Sequence, residues 1–442
     1  MNTGEQTTAS ARRIFRRRIL ASAALVAPLV LSACGGGQPG GAAQPGTPGA
    51  WYLTGGSEPV FDASFEAWNE AHPDRAFATE SFANDAFKEK IRTAVGSGQA
   101  PTLIYSWTGG TLADYVANGD VVDLTGKVPA LESRALESVL SSGMVDGTLY
   151  AVPNNNPQPV ILFTNEKLFE QVGVEPPTTW EETLDVVEKF EAEGVIPFSL
   201  AAQSRWPLLM WIQYLTDRIG GPEVFDAIAA NEPDAWSDPA ITEALEKIQE
   251  LVDAGAFGDS YGSVVADNNA DVALVHTDKA AMLLQGAWVY PSFATDAPDW
   301  FGEGNLGYTA FPDVGGSGDP ANIVGNPANF WSISSHASDE EQQAAIEYLD
   351  EFNLNEQATR DLVDNGMVPA TTGAEDLLAD ADESEYLTYA YNMVQDAPNF
   401  QLSWDQALAA DQAQELLTQL EGIFQATTTP QQFVDAMNAT IK

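Results

Sequence analysis

Cysteine and histidine are scarce in this sequence. Its 442 residues include one cysteine, Cys34, and three histidines, His72, His276 and His336. A single cysteine excludes an internal disulfide and a cysteine metal cluster. The histidines are far apart in sequence, without the spacing typical of a histidine metal site. The sequence therefore predicts neither a metal nor a cofactor.

Positive charge is also scarce. The chain has 19 Lys and Arg against 64 Asp and Glu, a formal net charge of −45. This argues against a nucleic-acid partner, whose phosphates would be repelled. It also disfavours anionic ligands, unless the site is locally basic. We interpret the excess of acid as a solvated surface that keeps a monomer soluble.

The amino terminus has the pattern of a secretory signal. Arginines at positions 12, 13, 16, 17 and 18 precede an apolar run over residues 19–31, which is too short for a membrane-spanning helix. The following Leu31-Ser32-Ala33-Cys34 resembles the lipobox of bacterial lipoproteins, in which the cysteine is acylated. Residues 1–33 are therefore predicted to be a lipoprotein signal peptide. Residues 34–49, rich in Gly, Pro and Gln, are predicted to be a flexible tether to the membrane.

Residues from 50 onwards alternate between strand and helix patterns, and the length favours two domains. This alternation predicts an α/β fold with open sheets. Strands are predicted at residues 51–54, 75–82, 101–107, 160–163, 195–202, 279–286 and 330–334. Residues 306–319 are predicted to be a loop. Helices are predicted at residues 85–95, 206–219, 241–254, 339–352, 383–396, 406–425 and 430–441.

Three predicted strands end near a tryptophan that lies beside small or polar residues. These are Trp107, Trp206 and Trp288. Ligands of open α/β sheets bind outside the carboxyl ends of the strands. An indole face packs against the apolar face of a sugar ring, although tryptophan is also a common core residue. We interpret Trp68 and Trp180, which have helical spacing, as core.

An asparagine run, residues 154–156, precedes the predicted strand at 160–163 and is framed by Pro153, Pro157 and Pro159. Side-chain amides donate and accept hydrogen bonds, which suits sugar hydroxyls. Asparagine is equally a standard turn residue, so a polar turn is the alternative.

Several longer motifs carry a family resemblance. They are Gly147-Thr-Leu-Tyr-Ala-Val-Pro153, Phe163-Thr-Asn-Glu-Lys-Leu-Phe169, Pro176-Pro-Thr-Thr-Trp-Glu-Glu182 and Ala280-Ala-Met-Leu-Leu-Gln-Gly-Ala-Trp288. In this order, and behind a lipobox, they resemble the extracellular solute-binding proteins of ABC sugar importers, the family of maltose-binding protein. The resemblance implies the two-lobed type II fold of periplasmic binding proteins, with a ligand cleft between the lobes. It implies a first lobe of residues 50–157 and 327–370, and a second of residues 158–326 and 371–442.

The resemblance also implies ligand-binding residues. Trp288 matches the family's sugar-stacking position, and Trp404 is similar to a second one. Glu58 lies where the family often places a polar ligand group. With the strand-end argument, the predicted ligand-binding set is Trp288, Trp404, Trp107, Trp206, Glu58, Asn84, Asn156, Gln158, Asp405 and Asn326.

The function implied by this resemblance is binding without catalysis. The protein would capture a neutral oligosaccharide, pass it to ABC permease subunits, and be held by lipidated Cys34 on the outer face of the cytoplasmic membrane. Residues 399–407 resemble the binders of xylobiose, cellobiose and chitobiose, so a β-linked disaccharide is expected. Two alternatives stay open: the same fold binding a peptide or polyol, and a secreted glycosidase that uses two carboxylates.

Overall fold

The computed structural model describes residues 47–442. The predicted signal peptide, Cys34 and residues 35–46 of the predicted tether lie outside the described residues. Strands β1–β13 are, in chain order, Gly49–Leu53, Ala78–Phe82, Leu103–Ser106, Met144–Val145, Thr148–Leu149, Val152–Pro153, Gln158–Asn165, Ile196–Ser199, Ala280–Gly286, Leu306–Thr309, Ile323–Asn326, Phe330–Ile333 and Phe400–Leu402.

Helices connect these strands and form the carboxyl-terminal part of the chain. Helices α1–α20 are, in chain order, Glu58–Ala71, Asn84–Gly96, Gly110–Asn118, Pro129–Arg134, Glu137–Ser141, Glu166–Val172, Trp180–Ala192, Leu209–Gly220, Glu223–Ala229, Pro239–Asp253, Ala270–His276, Tyr290–Asp296, Pro298–Gly302, Asp339–Glu351, Glu356–Asp364, Glu375–Asp380, Ser384–Asp396, Trp404–Ala407, Ala410–Phe424 and Pro430–Asn438. Short 3₁₀ turns are Ala202–Ser204, Trp206–Leu208, Ala235–Ser237, Tyr261–Ser263, Ala266–Asn268 and Ala287–Val289.

Local sequence explains where helix α7 begins and which face of helix α1 is buried. Helix α7 starts after Thr179, whose hydroxyl accepts a hydrogen bond from the backbone N–H of Glu182, while the Glu182 carboxylate accepts from the backbone N–H of Thr179. This capping box satisfies two N–H groups that have no partner within the helix. Helix α1 buries Phe61, Phe65 and Trp68 on one face. That face follows the helical spacing of the sequence.

The first sheet has the strand order β2-β1-β3-β12-β6. Strand β1 is parallel to β2 and β3, whereas β12 is antiparallel to β3 and β6. Its core is one cluster of buried side chains that includes Phe65, Leu103, Trp331 and Tyr348. The members of this core come from residues 50–152 and 328–370.

The second sheet has the strand order β13-β11-β7-β9-β8, and β10 pairs with β7. Its largest core contains residues from 160–324 and 404–437, and a smaller core joins residues 161–293 with 363–390. The chain crosses from the first sheet to the second between β6 and β7, and it returns between β11 and β12. The described fold is thus α/β with two large sheets that pack on separate cores, and β4 and β5 form a further two-stranded sheet.

One predicted loop is wrong. Within residues 306–319, strand β10 pairs antiparallel with β7, from Leu306 opposite Asn165 to Thr309 opposite Leu162. Gly307 lets β10 lie close to the Glu166 side chain, because a Cβ at this position would be 1.9 Å from Glu166 Oε1. The predicted helix at 406–425 is also two helices, α18 and α19. Strands β11 and β13 were not predicted, because β11 has only two apolar residues before Gly325 and Asn326, and β13 has only three residues.

Candidate functional site

A cavity of about 380 Å³ lies where strands of both sheets end. Residues just after β1, β3, β9 and β13 line it, among them Ser57, Trp107, Trp288 and Ser403. Asn326, the last residue of β11, lines it too. This is the position at which open α/β sheets bind ligands. The volume lies in the range of small-molecule sites.

Three tryptophans, Trp107, Trp206 and Trp288, line the cavity together with Phe61 and Tyr105. The ring centroids of Trp206 and Trp288 are 5.8 Å apart, with their planes inclined by 55°. Both side chains are half-buried, whereas Trp107 is buried. The ring of Trp288 folds over Gly286, where a Cβ would lie 1.9 Å from the indole. Gly286 is therefore required for this orientation of Trp288.

Lys88 is the basic side chain in the cavity lining. It extends from helix α2, and its Nζ lies 5.3 Å from the ring centroid of Trp107 and 6.0 Å from that of Trp206. The same Nζ forms an ion pair with Asp405 Oδ2 at 3.3 Å. The cation is thus already neutralised and stacked on aromatic faces, so it is a weak attractor for an anionic ligand.

Three carboxylates line the cavity, those of Asp267, Asp271 and Asp405. Asp271 is buried and accepts hydrogen bonds from Gln285 Nε2 at 2.9 Å and from the backbone N–H of Val272 at 3.0 Å. Burial raises the pKa of Asp271 to about 6, because water stabilises the charged form better than the protein interior does. Burial also raises the pKa of Asp267.

Amide side chains connect the two crossing segments beside the cavity. Asn155 accepts a hydrogen bond from the backbone N–H of Asn329 at 2.8 Å and donates to Asn329 Oδ1 at 3.0 Å. Gln158 Nε2 donates to the same Asn329 Oδ1 at 2.6 Å. All three side chains are buried and line the cavity. They hold the two crossings together where the chain passes between sheets.

Some buried polar atoms of the lining have no hydrogen-bond partner within residues 47–442. They are Trp206 Nε1, Asp267 Oδ1 and Asn326 Oδ1. A buried polar atom without a hydrogen bond is costly, and such atoms are satisfied by water or ligand. One donor and two acceptors in a cavity with indole walls can bind the hydroxyls and the apolar face of a sugar-like ligand.

Seven of the ten residues predicted to bind ligand lie in this lining. They are Trp288, Trp107, Trp206, Asn84, Gln158, Asp405 and Asn326. Their role in binding stays a prediction.

Trp404 does not reach the cavity, and its predicted stacking position is wrong. The side chain is fully buried and stacks on Phe225, with ring centroids 4.6 Å apart and planes inclined by 5°. Its Nε1 donates to Gln401 Oε1 at 2.8 Å. Trp236 packs edge-on against it at 5.8 Å. Helix α18 directs this ring into the core of the second sheet, and the next residue, Asp405, into the cavity.

Glu58 and Asn156 also lie outside the lining. The Glu58 carboxylate accepts a hydrogen bond from the backbone N–H of Gly55 at 3.2 Å and closes the turn before α1. Asn156 Nδ2 donates to the Pro157 carbonyl at 3.1 Å. Each side chain thus bonds to a nearby backbone group, although the buried Oδ1 of Asn156 has no partner among the described residues. The neighbouring Ser57 and Asn155 line the cavity instead.

Sequence reasoning missed other lining residues, notably Lys88, Gln213, Asp267, Asn269, Asp271 and Asn329. Arg205, which follows the predicted strand at 195–202, lies outside the lining, and its guanidinium pairs with Glu421 at 2.7 Å. Helical phase could have indicated Lys88, because it lies one turn after Asn84. Residues 266–271 follow no predicted strand, so the strand-end argument passed over them.

Residues 47–442 contain no group of three or more His, Cys, Asp or Glu side chains arranged to hold a metal ion. Within the same residues, no helix combines the length and apolarity needed to cross a bilayer.

The profile of the bacterial extracellular solute-binding proteins matches residues 54–359. The chain belongs to this family. The family, the α/β class and the two-lobed architecture expected from the sequence are therefore confirmed.

Individual relatives of this solute-binding protein are distant. An uncharacterised ABC transporter extracellular-binding protein of Pyrococcus horikoshii is 23% identical over 314 residues, covering 67% of this chain and 69% of that protein. The xylose/arabinose-binding protein XacG of Haloferax volcanii is 27% identical over 257 residues, 55% of this chain and 54% of its own length. The matched segment thus spans about half of the second relative.

A solved structure from work on xylan utilisation by Caldanaerobius polysaccharolyticus is similar over the greater part of the chain. It is 26% identical, has a TM-score of 0.79, and the similarity covers 90% of this chain and 100% of that one. A chitin oligosaccharide binding protein has the same TM-score at 21% identity and shows the fold alone.

Proposed function

We propose that this solute-binding protein is the receptor of an ABC importer and captures a neutral oligosaccharide, with a β-linked disaccharide such as xylobiose or cellobiose as the substrate. The observation that supports this most is the cavity itself. Indole faces line it beside buried hydrogen-bonding atoms that have no protein partner. That combination fits the two faces of a pyranose better than it fits a peptide or a polyol.

The charge of the lining supports a neutral ligand. Its carboxylates, Asp267, Asp271 and Asp405, face a single cation, Lys88, which is already paired with Asp405. A peptide carboxylate or an acidic sugar would enter a site with net negative charge and no free cation in the described lining. Like charges brought together in a poorly solvated site disfavour binding.

Several relatives are named for sugars, and one is named for osmoprotective compounds. One relative is named for xylose and arabinose and another for multiple sugars. The solved structure associated with xylan utilisation is similar over 90% of this chain. Proteins of one fold differ in the solute they bind, so a binding measurement identifies the disaccharide.

Ligand capture would proceed by closure of two lobes, residues 50–157 with 327–370 and residues 158–326 with 371–442. The crossings between them would bend, and the amide group of Asn155, Gln158 and Asn329 lies at two of these crossings. In hinge closure around a ligand, a few residues of such connections absorb the large changes in backbone dihedral angles. No catalytic step is part of this function.

Membrane attachment would come from the lipid on Cys34, which places the receptor at the cell surface beside its permease subunits. In cells that express the protein, Cys34→Ser should abolish the incorporation of labelled palmitate into it. The variant should also leave the membrane fraction and be found in the medium. Palmitate labelling of the variant would contradict the lipobox assignment.

Thermal unfolding against a ligand panel tests the function directly. The panel contains xylobiose, cellobiose, chitobiose, maltose, the free monosaccharides and short peptides. A sugar at 100 times its dissociation constant should stabilise the protein by about 2.7 kcal/mol. Stabilisation by peptides alone would overturn the oligosaccharide proposal and leave a receptor of different cargo.

Trp288→Ala should reduce the affinity for the stabilising sugar at least tenfold, because the indole face would be lost. Trp300→Ala is the matched control, since Trp300 lies outside the lining and its Nε1 donates to Asp278. An affinity of Trp288→Ala within threefold of the wild type would refute stacking at this position.

A further inference from the structure

Asp267 lies in the 3₁₀ turn Ala266–Asn268, which neighbouring residues hold in place. The backbone N–H of Ala266 donates to Ser204 Oγ at 3.1 Å, and Asn269 Nδ2 donates to Asp296 Oδ2 at 3.0 Å. The turn belongs to the half of the molecule that is built on the second sheet; the other half is built on the first sheet. Its carboxylate is therefore positioned before any ligand arrives.

The two carboxylate oxygens of Asp267 have different surroundings. Oδ2 accepts a hydrogen bond from the backbone N–H of Asp85 at 2.9 Å. Asp85 is in the first turn of α2, which packs on the core of the first sheet, so this bond joins the two halves. Oδ1 is buried and has no hydrogen-bond partner among the described residues, although its residue lines the cavity.

The surroundings keep this carboxylate available as an acceptor. The amino end of a helix stabilises negative charge, and α2 presents that end to Oδ2. Burial is the largest influence on the pKa of Asp267 and raises it, as does the charge of Asp85, whereas the hydrogen bond from the Asp85 N–H and the charge of Lys88, one turn along α2, lower it. A charged acceptor in a poorly solvated place forms stronger hydrogen bonds than a neutral one.

We infer that Asp267 couples ligand binding to closure, with Oδ2 binding helix α2 across the cleft and Oδ1 accepting a hydrogen bond from a ligand hydroxyl. This inference rests on the proposed function, because it assigns one hydroxyl of the sugar to one atom. Closure brings Asp85 N–H to Oδ2, and the ligand satisfies the Oδ1 atom that closure buries. A sugar without that hydroxyl would leave a buried carboxylate oxygen unpaired.

Such a site is specific for the hydroxyl. Sites built to hydrogen-bond a hydroxyl strongly reject the analogue that lacks it, since their own polar atoms are then left unsatisfied. Asp267 would also disfavour a ligand that places an anionic group at this position. It is thus a specificity-determining residue on a turn rather than at a strand end.

Two variants separate the two oxygens. Asp267→Asn can keep the bond to Asp85 through its amide oxygen but presents an NH₂ group to the cavity, whereas Asp267→Ala loses both contacts. Asp259→Asn is the control for charge alone, because Asp259 is exposed and outside the lining. Affinity is measured by calorimetry with xylobiose and cellobiose, and dissociation by stopped-flow tryptophan fluorescence.

We expect Asp267→Asn to weaken binding 10- to 100-fold with an unchanged unfolding temperature. Asp267→Ala should weaken binding further and speed dissociation, and Asp259→Asn should bind like the wild type. The decisive readout is a series of monodeoxy analogues. For the wild type, one analogue should bind at least tenfold more weakly than the parent sugar. For Asp267→Asn, the same analogue and the parent sugar should bind equally well, since the carboxylate that accepts from that hydroxyl is gone.

If the wild type binds either sugar and Asp267→Asn binds it within threefold, the inference is wrong and the proposed function stands. The inference is equally wrong if every deoxy analogue loses the same affinity in both proteins. If the wild type binds no sugar, the proposed function fails, and the assignment of Oδ1 to a sugar hydroxyl fails with it.

Discussion

Lys88 and Asp405 form an ion pair across the cavity, with 3.3 Å between Lys88 Nζ and Asp405 Oδ2. Lys88 comes from helix α2, beside the first sheet, and Asp405 comes from helix α18, after the last strand of the second sheet. Asp405 is nearly buried, with its side chain 9% exposed, and Gln406 Nε2 donates to it at 2.9 Å. The pair therefore connects the two halves beside the rings of Trp107 and Trp206.

Lys88→Gln is expected to weaken sugar binding about three- to tenfold. The amide removes both the charge pair with Asp405 and the cation over the rings of Trp107 and Trp206. Salt screens such pairs, so the wild-type affinity should fall more than that of the variant between 50 mM and 500 mM salt. Calorimetry at the two salt concentrations measures this.

Lys90→Gln is the matched control for Lys88→Gln. Lys90 is on the same helix, pairs with Glu80 at 3.5 Å and lies outside the lining. Equal loss of affinity in the two variants would mean that the net charge of α2, not the pair with Asp405, determines binding.

Trp404→Ala should lower the free energy of unfolding by about 3–5 kcal/mol, the usual cost of truncating a fully buried aromatic side chain. The ring is fully buried against Phe225 and Trp236, so its removal would leave a cavity in the core. Trp288→Ala should change the unfolding free energy by only about 1 kcal/mol, since its ring is half-buried at the cavity. Chemical denaturation compares the two. A stable Trp404→Ala with lost affinity would restore its predicted role as a stacking residue.

Gly110→Ala should hinder closure. Gly110 begins α3, and a Cβ there would lie 2.2 Å from the Leu408 carbonyl oxygen, on the segment between α18 and α19. The two halves would have to move apart, so we expect a tenfold or greater loss of sugar affinity with little change in the unfolding temperature of the ligand-free protein. Gly96→Ala is the control, because a Cβ at Gly96 meets nothing within 4 Å. A lower unfolding temperature with unchanged affinity would indicate a rigid contact instead of a closing one.

The pKa of Asp271 predicts a pH dependence of stability. Burial raises this pKa to about 6 in the folded protein, above the ordinary value of 3.8. The folded state therefore binds the proton more tightly than the unfolded chain, and stability from this group is present at pH 4 and lost as the pH rises through 6. The shift corresponds to about 3 kcal/mol, taking about 1.4 kcal/mol per pKa unit.

Asp271→Asn removes this titration. Its unfolding free energy should fall less steeply between pH 4 and pH 7 than that of the wild type, whatever constant offset the amide introduces at the Gln285 and Val272 hydrogen bonds. Denaturation at four pH values measures the difference in slope. Parallel curves would show that Asp271 titrates near its ordinary value.

Helical and strand periodicity located the elements that the site depends on. Strands β1, β3 and β9 were predictable because each is an apolar run bounded by turn residues, and their carboxyl ends carry Ser57, Trp107 and Trp288 to the cavity. The short strands β11 and β13 gave no such signal. They become ordered through long-range pairing, since β11 pairs with both β13 and β7.

What the sequence by itself determined is the α/β class, the family motifs and the predicted lipobox. These depend on periodicity and on local spacing, which can be read along the chain. Only the tertiary structure decided which polar and aromatic side chains face the cavity. Trp404 and Asp405 are adjacent, yet one lies in the core and the other in the cavity wall, because a helix turns successive side chains about 100° apart. Lys88, Asp267 and Asp405 come together only because separate segments of both halves meet there, and no local pattern records that meeting.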